Sequence, residues 1–197
     1  MKIFVVARSD SYAKAFVDRH NFAANNIEIL LGQKSYFKVL NKIIRNNDSP
    51  VLVVHDDIYF SREFYFGLDI AVEKLNRITP LWGVAGNAGI ACSHFGLVPT
   101  QIVRYIYDPH GGPNLSGNII RAQSIDGNTM LLNIPILKKF GVKLPNINGF
   151  QFYDLSMSIE VLKHGLGVYI SPDLLCMHNS RGNQKEFDAA LKINKIN

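Results

Sequence analysis

The sequence predicts an α/β domain in which a mostly parallel central sheet is flanked by helices. Short apolar runs that suit buried strands alternate with longer segments whose apolar residues recur at helical spacing. This regular alternation favours parallel strands joined by right-handed crossovers. Length is a further guide, because 197 residues suffice for one substantial core and are short for two. We therefore expect residues 1–197 to form a single domain.

The first half of the chain contains the clearest repeating units. Residues 2–7 (KIFVVA) form a continuous apolar run typical of a buried strand, and RSDS follows it as a loop. Ser61 is a favourable N-cap for the longest predicted helix. In order, the predicted elements are strand 2–7, helix 11–21, strand 27–32, helix 35–46, strand 51–54, helix 62–78 and strand 81–86.

The second half begins with a segment of different texture, residues 87–118, in which glycines and prolines concentrate. We expect an irregular insertion with a hairpin around residues 101–108, and long segments of this kind are usually functional or mobile. The later predicted elements are strand 122–133, a short helix from Pro135 to Gly141, a helix ending at Gly165 with Leu155, Ile159 and Leu162 on one face, strands 166–170 and 174–177, and a short helix at 184–193.

Composition limits the classes of function. The net charge of +5 and the pI near 9.2 suit an anionic ligand or an anionic membrane face. The basic residues are scattered without a run of five, so we do not expect nucleic-acid binding. Cys92 and Cys176 lie in no metal-binding spacing, which indicates a reducing compartment. Because we see neither a signal peptide nor a transmembrane segment, we expect a cytoplasmic protein whose membrane contact would be peripheral.

Two adjacent carboxylates, Asp56 and Asp57, follow a buried strand directly. Burying an unpaired carboxylate is costly, so these groups are either solvated at the strand end or neutralised by a specific partner. Asp10, Asp126 and His178 also follow predicted strands, and ligands of open α/β sheets bind beyond the carboxyl ends of strands. Convergence of these groups would suit Mg²⁺ or Mn²⁺, and an imidazole ligand favours Mn²⁺.

Five motifs occur in an order that resembles nucleotide-sugar glycosyltransferases with the glycosyltransferase-A fold, a Rossmann-like α/β fold. They are VVHDDIYFSREF, WGVAGNAG, SIDGNTMLLN, GFQFYDLSMSIEVLKHGLGVYIS and MHNSRG, within residues 2–182. The chain is similar to small bacterial and viral glycosyltransferase-like proteins related to family 2. The resemblance implies an enzyme, a hexosyltransferase, that moves a sugar from a nucleotide-diphosphate donor such as a UDP-sugar. The acceptor would be a hydroxyl of a glycan or another molecule, and the reaction would use Mn²⁺ or Mg²⁺ and invert the anomeric centre.

The resemblance also implies a metal site and a catalytic base. HDD stands where the family has its Asp-x-Asp metal motif, with His55 in place of the first Asp. Asp57 would then be a direct metal ligand, and Asp56 would contact the ribose or the metal shell. His178 resembles the late histidine that completes the metal site. Asp154, in FYDLS, occupies the place of the catalytic base.

Further motif residues resemble those that hold the substrates. Ala7, Arg8 and Asp10 in ARSD, together with Gly32, resemble the segments around the base and ribose, and Asp126 and Gly127 resemble the loop that contacts the donor sugar or the acceptor. The insertion at 87–118 would shape the acceptor side, where Phe95, Tyr105 and Tyr107 could pack on a sugar ring.

Simpler interpretations of the same residues stay open at this stage. The Asp56–Asp57 pair could merely end a strand, and Asp126 could belong only to a turn. His178 could be an ordinary histidine, and Asp154 could only N-cap a helix that begins at the next residue. Two other functions also stay open: a nucleotidyltransferase, which would use similar carboxylates and metal, and a non-catalytic module that binds nucleotide sugars.

Overall fold

The computed structural model describes residues 1–91, 101–109, 111–114 and 117–179. Its helices are α1 (Asp10–Arg19), α2 (Tyr36–Asn46), α3 (Arg62–Ile78), α4 (Ile134–Lys139) and α5 (Tyr153–Lys163). Its strands are β1 (Lys2–Ala7), β2 (Ile27–Leu31), β3 (Val51–His55), β4 (Ile58–Tyr59), β5 (Trp82–Gly86), β6 (Ala88–Ala91), β7 (Ile102–Arg104), β8 (Ile106–Tyr107), β9 (Ile120–Ile125), β10 (Thr129–Leu132), β11 (Gly167–Ile170) and β12 (Cys176–His178). The predicted helix at 184–193 lies outside the described residues.

Local sequence signals explain where several helices begin and end. Ser9, Ser35 and Ser61 each precede a helix and accept a hydrogen bond from the backbone N–H three residues on. The N-cap predicted at Ser61 is therefore confirmed. Gly141 and Gly165, with φ of 68° and 71°, follow α4 and α5 in the left-handed conformation that favours glycine.

Nine strands of the described chain form one sheet in the order β2-β1-β3-β10-β5-β11-β9-β6-β7. Parallel pairing joins β1 to both β2 and β3, and β5 to β11. The other neighbouring pairs are antiparallel. The α/β class is confirmed, but the prediction of a mostly parallel sheet is wrong because this sheet is mixed.

Strand β10 accounts for much of the difference. No helix separates it from β9, and the turn at residues 126–128 leads instead into the centre of the sheet, where β10 lies antiparallel to β3 and β5. The amino-terminal end of β10 consequently lies at the sheet edge where β3 ends, with Thr129 paired to Val54. Asp126 and Gly127 thereby come close to the residues that follow β3.

Helices cover both faces of the sheet, as predicted. On one face, α2, α4 and α5 pack on alternate strand residues such as Phe4 and Val6. On the other face, α1 and α3 pack on the intervening residues, including Ile3 and Val5. Among the described residues, no helix combines the length and apolar character needed to cross a membrane.

The predicted insertion is more regular than expected in its described part. Strand β6 pairs with β7 and with β9, which extends the main sheet, and β8 joins β4 and β12 in a second sheet of three strands. Strands β7 and β8 do not pair with each other, but a tight antiparallel turn closes at the end of the predicted hairpin segment, where Asp108 and Gly111 exchange backbone hydrogen bonds of 3.2 and 3.1 Å. Tyr105 is fully buried, so its predicted packing on a sugar is wrong, whereas Tyr107 is 50% exposed. Phe95 lies outside the described residues.

Helix α5 buries a different face from the one singled out in the sequence. Leu155, Ile159 and Leu162 are exposed, and the helix packs through Tyr153, Met157 and Val161. Both sets recur at helical spacing, so periodicity alone does not distinguish them. The choice matters because the buried set begins with Tyr153, which reaches the candidate site.

Candidate functional site

Three side chains that could hold a metal ion meet at the end of β3. His55 is the last residue of β3, Asp57 follows two residues later, and His178 is the last residue of β12. Antiparallel pairing of β12 with β4 sets His178 opposite Ile58 and so brings it beside Asp57. One potential ligand atom from each of the three residues lies within 4.8 Å of the others. Asp57 and His178, predicted as ligands, are thus brought together.

Two atoms of this group lie close together without forming a hydrogen bond of good geometry. Asp57 Oδ1 and His178 Nε2 are 3.3 Å apart, and both are buried without a hydrogen-bond partner in the described structure. Buried polar atoms are normally paired, so such atoms require an explanation, and a bound ion is one. Two imidazoles and one carboxylate suit Mn²⁺ better than Mg²⁺, which prefers oxygen ligands alone.

The charge states of the three side chains also suit a metal. Burial acts to raise the pKa of Asp57, but His178, His55 and Arg8 outweigh it and lower that pKa to about 2. Burial lowers the pKa of His55, although the nearby charge of Asp57 acts to raise it. The net lowering favours a neutral imidazole. Burial likewise acts to lower the pKa of His178, but Asp57 raises it overall. Metal binding would require the neutral form of His178, because ligating histidines are neutral.

Arg8 bridges the adjacent carboxylates. Its Nη2 lies 2.6 Å from Asp56 Oδ1 and 3.0 Å from Asp57 Oδ2, and its backbone N–H donates to Asp56 Oδ2 at 2.7 Å. Asp56 is 2% exposed, so this carboxylate ends β3 inside the protein with arginine as its counter-ion. The Arg8 side chain stays 53% exposed and faces solvent beside the triad.

Tyr153 connects the triad to helix α5. Its hydroxyl lies 2.6 Å from His55 Nε2, and its ring stacks on Tyr36 with centroids 3.8 Å apart. The backbone at residue 127 packs directly against Tyr153. Residue 127 must therefore be a glycine, since a Cβ there would collide with the Tyr153 hydroxyl. A partner on the imidazole fixes the ring orientation of a metal-binding histidine. If Nε2 is held by Tyr153, Nδ1 of His55 is the nitrogen left for a ligand.

Asp154 lies beside the 126–128 turn. Its Oδ2 accepts a hydrogen bond from Gly127 N at 3.1 Å, and its Oδ1 accepts one from Leu155 N at 2.8 Å. Burial and the nearby charge of Asp126 raise the pKa of Asp154 to about 6. The residue is in the first turn of α5 and Phe152 occupies the N-cap, so Asp154 is not the N-cap residue, although its carboxylate accepts a backbone N–H of that first turn.

The remaining predicted residues are distributed around this edge of the sheet. Asp126 is exposed and accepts a hydrogen bond from Asn128 N, and its charge also acts on His55 and His178. Ala7 and Gly32 lie at the ends of β1 and β2, buried and exposed respectively. Asp10 is exposed in the first turn of α1, and no ion pair or hydrogen bond within the described residues joins it to the triad.

Comparison with known proteins gives a fold but no family. No protein-family model and no curated protein matches the sequence. Among solved structures, the crystal structure of GalNAc-T7 with UDP, GalNAc and Mn²⁺ matches with a TM-score of 0.56 and 10% sequence identity. The match covers 92% of this chain and 44% of the GalNAc-T7 chain, so the chain spans less than half the length of that protein. The chain therefore shares the fold of a glycosyltransferase-A protein.

Proposed function

We propose that the chain is a glycosyltransferase that moves a sugar, a hexose, from UDP to an acceptor hydroxyl with inversion. The observation that carries this proposal is the triad of His55, Asp57 and His178 at the end of β3, in a chain with a glycosyltransferase-A fold. GalNAc-T7 was solved with UDP, GalNAc and Mn²⁺, which supports the same class of donor and metal here. The proposal includes the expected resemblance to family 2 and a single domain over residues 1–197.

His55, Asp57 and His178 would hold the metal ion, which when bound would offset the negative charge of the departing diphosphate. The lowered pKa values of Asp57 and His55 favour the ligating forms of both side chains, whereas Asp57 raises the pKa of His178 and so opposes its neutral, ligating form. Tyr153 holds the His55 ring, and Arg8 stabilises the Asp57 carboxylate. Ala7, Arg8, Asp10, Gly32 and Asp56 would line the base and ribose.

Asp154 would act as the general base. In a single displacement, the acceptor oxygen forms a bond to the anomeric carbon, the carbon–oxygen bond to the diphosphate breaks, and its electron pair leaves with UDP. The acceptor proton passes to Asp154, whose backbone hydrogen bonds hold the carboxylate in place. Asp126 and Gly127 would contact the donor sugar or acceptor from the same turn. Attack opposite the leaving group inverts the anomeric centre.

The test is turnover of a panel of UDP-sugars with and without Mn²⁺. Asp154→Asn should lower turnover by at least about a hundredfold while UDP and Mn²⁺ affinities stay near those of the wild type. Asp69→Asn, at an exposed position on α3, is the matched control and should retain activity. Product NMR should show the inverted anomer.

Three outcomes would overturn the proposal. Normal turnover in Asp154→Asn would remove the assigned base. Mn²⁺-dependent UDP binding without hydrolysis of any UDP-sugar would indicate a binding module. Release of pyrophosphate from a nucleoside triphosphate and a sugar phosphate would indicate a nucleotidyltransferase.

A further inference from the structure

The net positive charge of the chain comes from two segments that contain no acidic residue. Residues 29–47 and 127–153 contain seven of the 21 Lys and Arg residues and none of the 16 Asp and Glu residues. The rest of the chain has 14 basic and 16 acidic residues, so these segments account for the whole positive net charge. Their basic side chains are all exposed: Lys34, Lys38, Lys42, Arg45, Lys138, Lys139 and Lys143.

The two segments lie side by side in the fold. Lys138 Nζ contacts the backbone carbonyl just beyond the last turn of α2. The Asn41 side chain then makes hydrogen bonds of 3.0 and 2.9 Å with the backbone of Leu144. Lys38 Nζ donates to Asn148 Oδ1 at 2.9 Å near the start of the helix. The chain after α4 therefore runs along α2 from end to start, and the seven basic side chains form one surface, here called the basic face.

Most of the charge on the basic face is not neutralised within the protein. Lys138 pairs with Asp48 at 2.6 Å. In the part of the chain that the structure describes, the other six side chains have no carboxylate within ion-pair distance. A surface with this much uncompensated charge attracts an anionic partner.

Two exposed apolar side chains border the basic face. Ile147 and Phe150 are 45% and 43% exposed, in the loop that leads into α5. The loop is well held, because Ser35 Oγ donates to the Ile147 carbonyl at 2.6 Å and the Phe150 ring packs edge-on against Tyr36. Basic side chains beside exposed apolar ones are typical of surfaces that dock on anionic lipid headgroups and insert into the interface.

We propose that the basic face, with Ile147 and Phe150 at its border, docks this chain on an anionic lipid bilayer. Ile147 has no flat surface for base stacking, which favours hydrocarbon over a nucleic acid as its partner. Docking would hold the loop before α5 against the headgroups, only a few residues from Asp154. With the loop in that position, the bilayer would present the acceptor hydroxyl to the site. Only this statement about the acceptor rests on the proposed function.

The test is co-sedimentation with vesicles of phosphatidylcholine alone or with added phosphatidylserine. The wild-type chain should bind only the anionic vesicles. A triple variant with Lys38→Gln, Lys42→Gln and Arg45→Gln should bind them at least about tenfold more weakly, because each basic residue near the surface contributes to attraction. The matched control changes Lys14, Arg62 and Arg77 to Gln on α1 and α3, which cover the opposite face of the sheet, and should bind like the wild type.

A second variant separates insertion from charge. Ile147→Ser with Phe150→Ser should lose the vesicle binding that persists in high salt, where attraction between exposed charges is screened. Equal losses in the matched control would overturn the proposal, as would absence of vesicle binding alongside tight binding of a nucleic-acid oligonucleotide. Vesicle binding requires no turnover, so failure here is distinct from failure of the proposed function.

Discussion

At the scale of single residues, Asp56 and Asp57 are adjacent in sequence but differ in their surroundings. Arg8 satisfies Asp56 fully, whereas Asp57 shares Arg8 and directs its second oxygen at His178. Asp56→Asn and Asp57→Asn should each lower the free energy of unfolding by about 1–3 kcal/mol, because each weakens an ion pair with Arg8. Only Asp57→Asn should abolish Mn²⁺-dependent UDP binding. Urea unfolding and titration with Mn²⁺ measure the two effects, and equal metal affinity in both variants would contradict the assignment.

The raised pKa of Asp154 makes a second prediction at this scale. Turnover should rise with pH up to about 6 and level off above it, because the base works only when ionised. The backbone hydrogen bonds to the Asp154 carboxylate act to lower its pKa, but burial and the charge of Asp126 outweigh them.

Ionisation of Asp154 should lower the free energy of unfolding as pH rises, whereas it raises turnover. A pKa that is higher in the folded than in the unfolded chain stabilises the fold at low pH, and this contribution is lost as pH rises through about 6. The wild type should therefore lose about 2 kcal/mol relative to Asp154→Asn between pH 4 and pH 7. Denaturant unfolding at both pH values gives the difference, and a constant difference would contradict the raised pKa.

At the scale of elements, Gly127 sets how closely the 126–128 turn can approach α5. Gly127→Ala should cost more than about 2 kcal/mol, since the new methyl group would displace Tyr153 from His55. Gly67→Ala is the matched control, because it lies in α3 with open space around it and should stabilise the protein by about 0.5–1 kcal/mol. Thermal unfolding compares the two; similar effects from both would mean that the turn can move away.

The two faces of α5 give a further prediction. Met157→Ala should lower the free energy of unfolding by about 2–5 kcal/mol because Met157 is fully buried. Ile159→Ala, on the exposed face, should change it by less than about 1 kcal/mol. The reverse order in chemical denaturation would mean that the helix packs through the face first selected from the sequence.

At the scale of the whole molecule, UDP and Mn²⁺ should stabilise the fold together. A ligand present at a hundred times its dissociation constant adds about 2.7 kcal/mol to the free energy of unfolding, which is several degrees in melting temperature. UDP with Mn²⁺ should therefore raise the melting temperature more than either alone, and a chelator should reverse the gain. His178→Ala should lose the increment while keeping most of its own stability.

The sequence predicted the helices and strands of the first half well. The strands are largely apolar runs, and each helix has one apolar stripe that begins after a serine N-cap. It also predicted Asp57 and His178 as neighbours, although His55 was not assigned as a ligand. Spacing is the signal that could have identified His55 as a ligand, since residues 55 and 57 lie two apart at the end of a strand. The direction of β10 could not be predicted, because alternation of side chains is the same in parallel and antiparallel strands. The buried face of α5 could not be predicted either, because contacts with segments distant in sequence decide which face is buried.

The central position of β10 also governs how the chain can fold during synthesis. Strands β1, β2 and β3 precede β10 and can pair with one another first, but the second edge of β3 and both edges of β5 wait for partners from residues 129–132 and 167–170. Until then these apolar strands have unpaired edges, which are prone to associate with other chains. Completion of the sheet depends on pairing between residues far apart in sequence, which is slow. The nascent protein therefore passes through a long interval of vulnerability to aggregation that ends only when α5 and β11 are in place.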